Sequence, residues 1–496
     1  MKRILDSVHG YIYVDDAYCD KLIDTEYFQR LRRIEQTSAR AVFPSARHDR
    51  FIHSLGVYHL GCRFVESLTK TLPQTARELI PANVQSIFES YKIACLLHDI
   101  AHSPYSHTFE KYFDNEWSDL KGALVRIIGE ASFEEDWNAG ADPSAHHERM
   151  SAIVATGVPL FCDFIAEKGA SKELVARMII GLKYRDEIHH SFENAMIDLI
   201  HGDVIDADGL DYVCRDAWAS GYCTTNVDID RLIDSVRIVP DEHNIFQLCY
   251  TAKCLNEIEA VLKVKTFQQS YVINHHTVTY EQALLVKAME SAAVYHFNGD
   301  RNVEDEDIRT TALQKLCSID CFYKPENQMV GKETDHTHIN IALPMDDDFV
   351  SLMKPIRDDK YVNQWLSRNY LLAPLWKSKA EFYQVFDHLR HARLTSNSWI
   401  FSDDCKNYIA EQFGIDPHDV WIKRATPKYK ENFAKKVKLY VNDKVVGYED
   451  LFPDDIHSYE PSINEFFYVY IPKDANKQAV VDALKRESSR YMMERG

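Results

Sequence analysis

Through the first 315 residues, apolar positions recur at three- and four-residue spacing, which predicts helices with one buried face. Tyr18 to Glu35, Ser54 to Lys70, Gln85 to Asp99, Glu148 to Glu167 and Ser171 to Leu182 carry this pattern most clearly. The longest such stretch runs from about Ala252 to His296, with a break near Asn274. At Val236–Val239 and Ile245–Tyr250 the period shortens to two on either side of a polar turn, which predicts a hairpin. Residues 324 to 348, with His336 and His338, are polar and predict a connection; helical spacing resumes from Phe349 to Phe413. The last 80 residues differ in character. Val437, Leu439 and Val441 alternate with polar residues, Asn442-Asp443 supplies a turn, and Val445-Val446 continue a second hairpin. Phe466 to Ile471 predicts a further strand, and Asn476 to Tyr491 a closing helix. The expectation is a mainly α chain: a helical domain over 1–320, a helical extension over 321–415, and a small α/β domain over 416–496.

Composition narrows the class. Of 496 residues, 45% are hydrophobic and 27% charged, with 17 Gly and 16 Pro, so the chain is globular rather than disordered or fibrous. The net charge of −19 disfavours sequence-independent binding to a polyanion, and no stable nucleic-acid partner is expected. Asp6 interrupts any apolar start and no run reaches the roughly 18 apolar residues of a span, so neither signal peptide nor membrane association is predicted. The 11 cysteines are scattered and never spaced CxxC, which suits reduced core thiols and a cytoplasmic setting.

Four stretches carry candidate chemistry. They are Arg50-Phe51-Ile52-His53-Ser54-Leu55-Gly56; Leu97-His98-Asp99-Ile100-Ala101-His102 with His107 beyond; Ala145-His146-His147-Glu148; and Asp206 to Asp216. If the helix through Leu97 continues, His98 and His102 share a face, and Asp208, Tyr212, Arg215 and Asp216 lie along one face of the last stretch. Singly, each has an ordinary reading, since a lone His is most often a core or surface residue and an Asp-rich helix start is usually a cap. Together, His53, His98, Asp99 and Asp208 supply two imidazoles and two carboxylates. That mixed nitrogen and oxygen set suits one divalent ion of the iron, manganese, nickel, magnesium or zinc kind.

With these motifs the chain resembles the HD-domain phosphohydrolases and, within them, the deoxynucleoside triphosphate triphosphohydrolase branch. The resemblance extends from Asp6-Ser7-Val8-His9-Gly10 through Leu22 to Arg32, Val42 to His48 and the four stretches to Tyr468-Val469-Tyr470-Ile471-Pro472-Lys473. It implies a helical HD-domain core with His53, His98, Asp99 and Asp208 as metal ligands. It implies His102 and His107 near the scissile phosphate and His147 as general acid, with Glu148 and Glu110 as candidate orienting partners. Arg50 would grip phosphates, Gln36 the sugar 3′-hydroxyl, and Tyr212 and Asp216 the sugar pocket. The implied reaction is water attack at the α-phosphorus of a deoxynucleotide substrate, releasing deoxynucleoside and triphosphate.

Two features qualify the resemblance. Gly209 stands where the branch has a phosphate-binding lysine, and the stretch from Lys265 to His276 aligns loosely, leaving Lys263, Lys265, Tyr271 and His275 as unassigned substitutes for the grip on the triphosphate tail. The alternatives are therefore a phosphomonoesterase or nucleotidase on another phosphorylated substrate, or a nucleotide-sensing scaffold with little turnover. Lys2, Asp24, Gln29 and Arg32 match residues that hold an activating nucleotide between subunits of regulated relatives, which implies a homo-oligomer, dimer or tetramer; otherwise they form a solvated helix face. Between Arg30 and Arg50 six arginines face only Glu35 and Asp49, a local surplus of +4 that attracts a small polyanion to an otherwise acidic protein.

Overall fold

A computed structural model describes every residue except 76–77, 116–118, 203, 222–226, 299–302, 304, 324–340, 390–393, 395–397, 426–435, 453–464 and 494–496. His336 and His338, and most of the predicted connection, lie outside the described residues. The fold is mainly α with small sheets. The chain forms two compact units, each assembled from separated stretches. Met1–Lys265, Met289–Ile356 and Asn432–Tyr459 make the first, and Thr266–Ala288, Arg357–Glu431 and Glu460–Gly496 make the second. This replaces the expected linear division at 320 and 415. The C-terminal hairpin, β7 (Lys438–Val441) and β8 (Lys444–Gly447), joins the hairpin formed by β3 (Val236–Pro240) and β4 (Phe246–Thr251) in the order β3-β4-β7-β8. Tyr250 pairs with Leu439 and Thr251 with Tyr440 in parallel. Alternation announces a hairpin but not whose open edge it will cover.

In the first unit the Arg50–Thr75 helix packs against the helices Val84–Leu97 and Ala207–Ser220, and His146–Gly157 against Lys172–Ile180. Their inward faces bury Leu55, Leu60, Phe64, Leu96, Val154, Met178 and Val213, each with little or no exposed surface. Burial of each such side chain stabilises the unit by about 1.5–3 kcal/mol. An antiparallel hairpin, β1 (Lys2–Asp6) and β2 (Gly10–Val14), opens the chain. In the second unit β9 (Phe466–Pro472), buried except at Pro472, lies between β5 (Leu372–Pro374) and β6 (Trp421–Ala425), both antiparallel to it. Its aromatic run packs with Tyr280, Trp376, Phe382 and Phe386, and the Trp376 indole donates to the Phe467 carbonyl.

Two expected helices are broken, and the conditional continuation of a third past Leu97 does not occur. Tyr18 to Glu35 is a series of short turns, because Thr25 Oγ1 donates to the Leu22 carbonyl and accepts from Phe28 N, ending one turn and capping the next. Glu148 to Glu167 is two helices bent by 71° at Val158, which Pro159 pushes out of the helical region. The helix through Leu97 stops there, so His98 and His102 do not share a helical face. Arg30 donates to the carbonyls of Ile100 and His102, at 3.0 and 2.6 Å, and Pro104 lacks the N–H a continuing helix needs. The break near Asn274 falls where expected, between the helices Leu255–Gln268 and His276–Asn298. Among the described residues no single helix is long and apolar enough to cross a membrane.

Candidate active site

Three helix ends meet at the candidate metal centre. His53 stands in the first turn of Arg50–Thr75, where Asp49 accepts from Ile52 N; His98 follows Leu97; Asp208 lies in the first turn of Ala207–Ser220, capped by Asp206. His53 Nε2 is 3.0 Å from Asp208 Oδ1 and 3.2 Å from His98 Nε2, and His98 Nε2 is 3.5 Å from the same carboxylate oxygen. Asp99 Oδ2 stands 3.4 and 3.6 Å from the two imidazole nitrogens. Each His has its outer nitrogen against an oxygen acceptor: His53 Nδ1 is 2.7 Å from Asp211 Oδ2, and His98 Nδ1 is 3.0 Å from the Cys95 carbonyl. A proton on each Nδ1 leaves both Nε2 lone pairs directed at one point, beside carboxylate oxygens. This donor set fits a divalent cation. Burial pushes the His53 pKa down, but hydrogen bonds to Asp208 and Asp211 outweigh it and bring it to about 9.

A second cluster adjoins in sequence and structure. His102, His107, Glu110 and His147 bring their ligating atoms within 4.8 Å of one another. His147 Nδ1 lies 2.6 Å from Glu110 Oε2, and the same oxygen is 3.3 Å from His107 Nδ1. Burial lowers the His147 pKa, and the Glu110 hydrogen bond and charge overcome that and raise it. His102 is fully buried, stacked on His147 at 4.5 Å, and among the described residues neither ring nitrogen has a hydrogen-bond partner. Burial, with Arg50 and His147 nearby, holds its pKa well below the usual imidazole value, so it stands neutral. Glu148 does not orient His147: it accepts from Ala145 N at 2.6 Å and pairs with His201 at 3.0 Å, while its approach to His147 is 4.0 Å.

The structure places the other expected residues as follows. Arg50 is buried and turned inward, donating to Asp99 at 2.6 Å and to Ser106 Oγ at 3.0 Å, so its guanidinium braces a candidate ligand instead of standing free for phosphate. Gln36 is buried with its side-chain oxygen unpartnered. Asp216 is held by His48 Nε2 at 2.6 Å. Lys265 lies with its ammonium 5.1 Å from the Tyr212 ring, one turn beyond Asp208, whereas the exposed Lys263 pairs with Glu259. A Cβ on Gly209 would come within 2.7 Å of the capping Asp206 Oδ1, so a side chain there would require that cap to shift. Lys2 pairs with Asp24, Arg32 donates to Gln29 Oε1, and Gln29 donates to the Ile23 carbonyl, so the four expected regulatory residues form two neighbouring pairs.

Sequence reasoning passed over the residues behind His53. Asp211, His9, Asp6 and the inner arm of Arg215 form a buried ion network there. The available signal was the spacing of Asp208, Asp211 and Arg215, which puts all three on one stripe of a helix. Gly56, one turn after His53, lets this network lie against the helix, since a Cβ there would overlap Asp211 Oδ1 and crowd Arg215 Nη2. Gly56→Ala is expected to destabilise the protein by about 1–3 kcal/mol, measured by urea unfolding; unchanged stability would show that the network yields freely.

With this geometry established, comparison with known proteins shows what the chain is similar to. Residues 50–211 match the HD domain model, and that span ends just past the first turn of the helix bearing Asp208. That stretch, about a third of the chain, is similar to the HD domain. It is 30% identical over 280 residues to the deoxynucleoside triphosphate triphosphohydrolase SAMHD1 homolog of Dictyostelium discoideum, covering 53% of this chain and 46% of that one. It is 28% identical over 303 residues to an uncharacterized protein of Bacillus subtilis, 60% and 57% of the two chains, so it spans about half the length of these relatives. A hypothetical protein of Aquifex aeolicus shares the fold, with a TM-score of 0.59 and 22% identity over 98% of this chain and 99% of that one.

Proposed function

We propose that the protein is a metal-dependent phosphohydrolase that cleaves deoxynucleoside triphosphates to deoxynucleoside and triphosphate. One observation carries this reading: a His, His, Asp trio suited to a divalent cation, together with a second His-rich cluster in which a carboxylate 2.6 Å from His147 Nδ1 raises the pKa of that histidine. A cation held by His53, His98, Asp208 and Asp99 supplies a Lewis acid for a phosphate oxygen. The chain's own groups do the rest. His147, charged by Glu110, gives its proton to the departing 5′ oxygen. His102, buried, neutral and unpartnered, waits for a polar ligand atom, as does the Gln36 side-chain oxygen. Relatives named as deoxynucleoside triphosphate triphosphohydrolases support the substrate class, including that of Bos taurus, 36% identical over 132 residues, which cover 25% of this chain and 21% of that one.

The triphosphate tail needs a cation that Gly209 cannot give, and Lys265 beside Tyr212 takes that part. One charge-assisted hydrogen bond contributes about 1.5–3 kcal/mol, so Lys265→Ala should raise KM for a dNTP roughly 10- to 100-fold while leaving turnover of a monophosphate unchanged. An equal loss on both substrates would remove Lys265 from the tail site. The regulatory pairs and a homo-oligomer belong to the same proposal, with an activating nucleotide bound at Lys2, Asp24, Gln29 and Arg32.

Gly209 specifically favours a second reading, hydrolysis of another phosphate ester. Incubation with mixed dNTPs and Mn²⁺ or Mg²⁺, with and without added GTP, separates the readings. Deoxynucleoside plus inorganic triphosphate is the expected result. Free phosphate from monophosphates alone would favour the second reading, and bound nucleotide without turnover would favour a sensor.

A further inference from the structure

We infer that Asp211 is the positioning residue of the metal centre: with His9 and Arg215 ranged around it, it sets which nitrogen of His53 faces the cation, and so how tightly the cation is held. The inference rests on the metal reading above. An imidazole has two inequivalent nitrogens, and the partner of one decides what the other can do. Asp211 Oδ2 lies 2.7 Å from His53 Nδ1 and can only accept, so that nitrogen carries the proton. Once a cation takes the place of the second proton, Nε2, 3.0 Å from Asp208, is the nitrogen left to present its lone pair.

Asp211 cannot turn away. Its Oδ1 is met by His9 Nε2 at 2.6 Å and Arg215 Nη2 at 2.8 Å, and its Oδ2 by Arg215 Nε at 2.8 Å. The remaining arm of Arg215 is held by Asp6 Oδ2 at 2.8 Å. Asp6 Oδ1 in turn accepts from Val8 N and His9 N, closing the turn between β1 and β2. The hairpin at the start of the chain is thus part of the back wall of a metal site whose ligands lie between residues 53 and 208. Asp211 and Arg215 are buried and the His9 side chain nearly so.

A buried ion cluster often has only a structural role. Two observations point further. The cluster contacts a candidate ligand directly, and through the one nitrogen that fixes its tautomer. It also distinguishes the two imidazoles, since His98 leans on a neutral carbonyl and His53 on a carboxylate, which makes His53 the more basic donor.

The test is titration of the metal-free full chain with Mn²⁺ alone, by calorimetry, for wild type, Asp211→Asn and Asp208→Ala. Asp211→Asn, shown folded by circular dichroism, should bind roughly 10- to 100-fold more weakly. Affinity within about twofold of wild type would overturn the inference. Should that variant fail to fold, nitrogen-15 histidine spectra of the Zn²⁺-loaded wild type decide: a protonated Nδ1 and coordinated Nε2 on His53 are expected, and the reverse would overturn it. Asp208→Ala separates the two layers. If it keeps wild-type affinity, the metal reading itself fails; if it loses the metal while Asp211→Asn keeps it, only the positioning role fails.

Discussion

Asp208→Ala is expected to abolish hydrolysis and Mn²⁺ binding together, while the metal-free protein keeps its fold. Asp208 is the partly exposed member of the trio, and its Oδ1 faces both ligand nitrogens. Without it two imidazoles and the Arg50-bound Asp99 remain, and Asp99 is already neutralised by that arginine. The loss is readable without substrate. At a Mn²⁺ concentration 100 times its Kd, wild type should gain about 2.7 kcal/mol of stability from binding, and the variant should gain essentially none. Retained hydrolysis, or an undiminished thermal shift with Mn²⁺, would remove Asp208 from the ligand set.

His147→Ala is expected to lower kcat by about 10²- to 10⁴-fold, the usual contribution of a positioned acid, with KM nearly unchanged. The pH profile gives the role a sharper signature. An acid must be protonated to act, so kcat should fall as pH rises through the His147 pKa, which the Glu110 hydrogen bond raises against burial. Glu110→Gln removes the anion 2.6 Å away, and the falling limb should move to lower pH. A change in KM alone for His147→Ala, or a limb that stays in place in Glu110→Gln, would contradict the assignment.

Much of the helical framework was legible because burial of one face imposes its own period. Ser54 to Lys70, Gln85 to Asp99 and the break near Asn274 lie within a few residues of the observed elements. The hairpins were legible for the same reason, and Asn442-Asp443 takes the left-handed turn conformation that its side chains tolerate. Failures came where a side-chain hydrogen bond, local or from elsewhere in the chain, or a proline overruled the period. Arg30 captures carbonyls seventy residues away and unwinds the segment after Leu97. The same holds for side-chain roles: Arg50 was expected on phosphate and is found on Asp99, and Glu148 was expected on His147 and is found on His201.

By itself the sequence determined the elements, the local charge surplus around Arg30 to Arg50, and which residue types could hold a cation. Composition and spacing carry that information directly. Only the tertiary structure decided partnership. It set Asp211 behind His53, Glu110 against His147 and the last hairpin on β4, because each of these pairs joins positions from 37 to about 200 residues apart, which no period along the chain encodes.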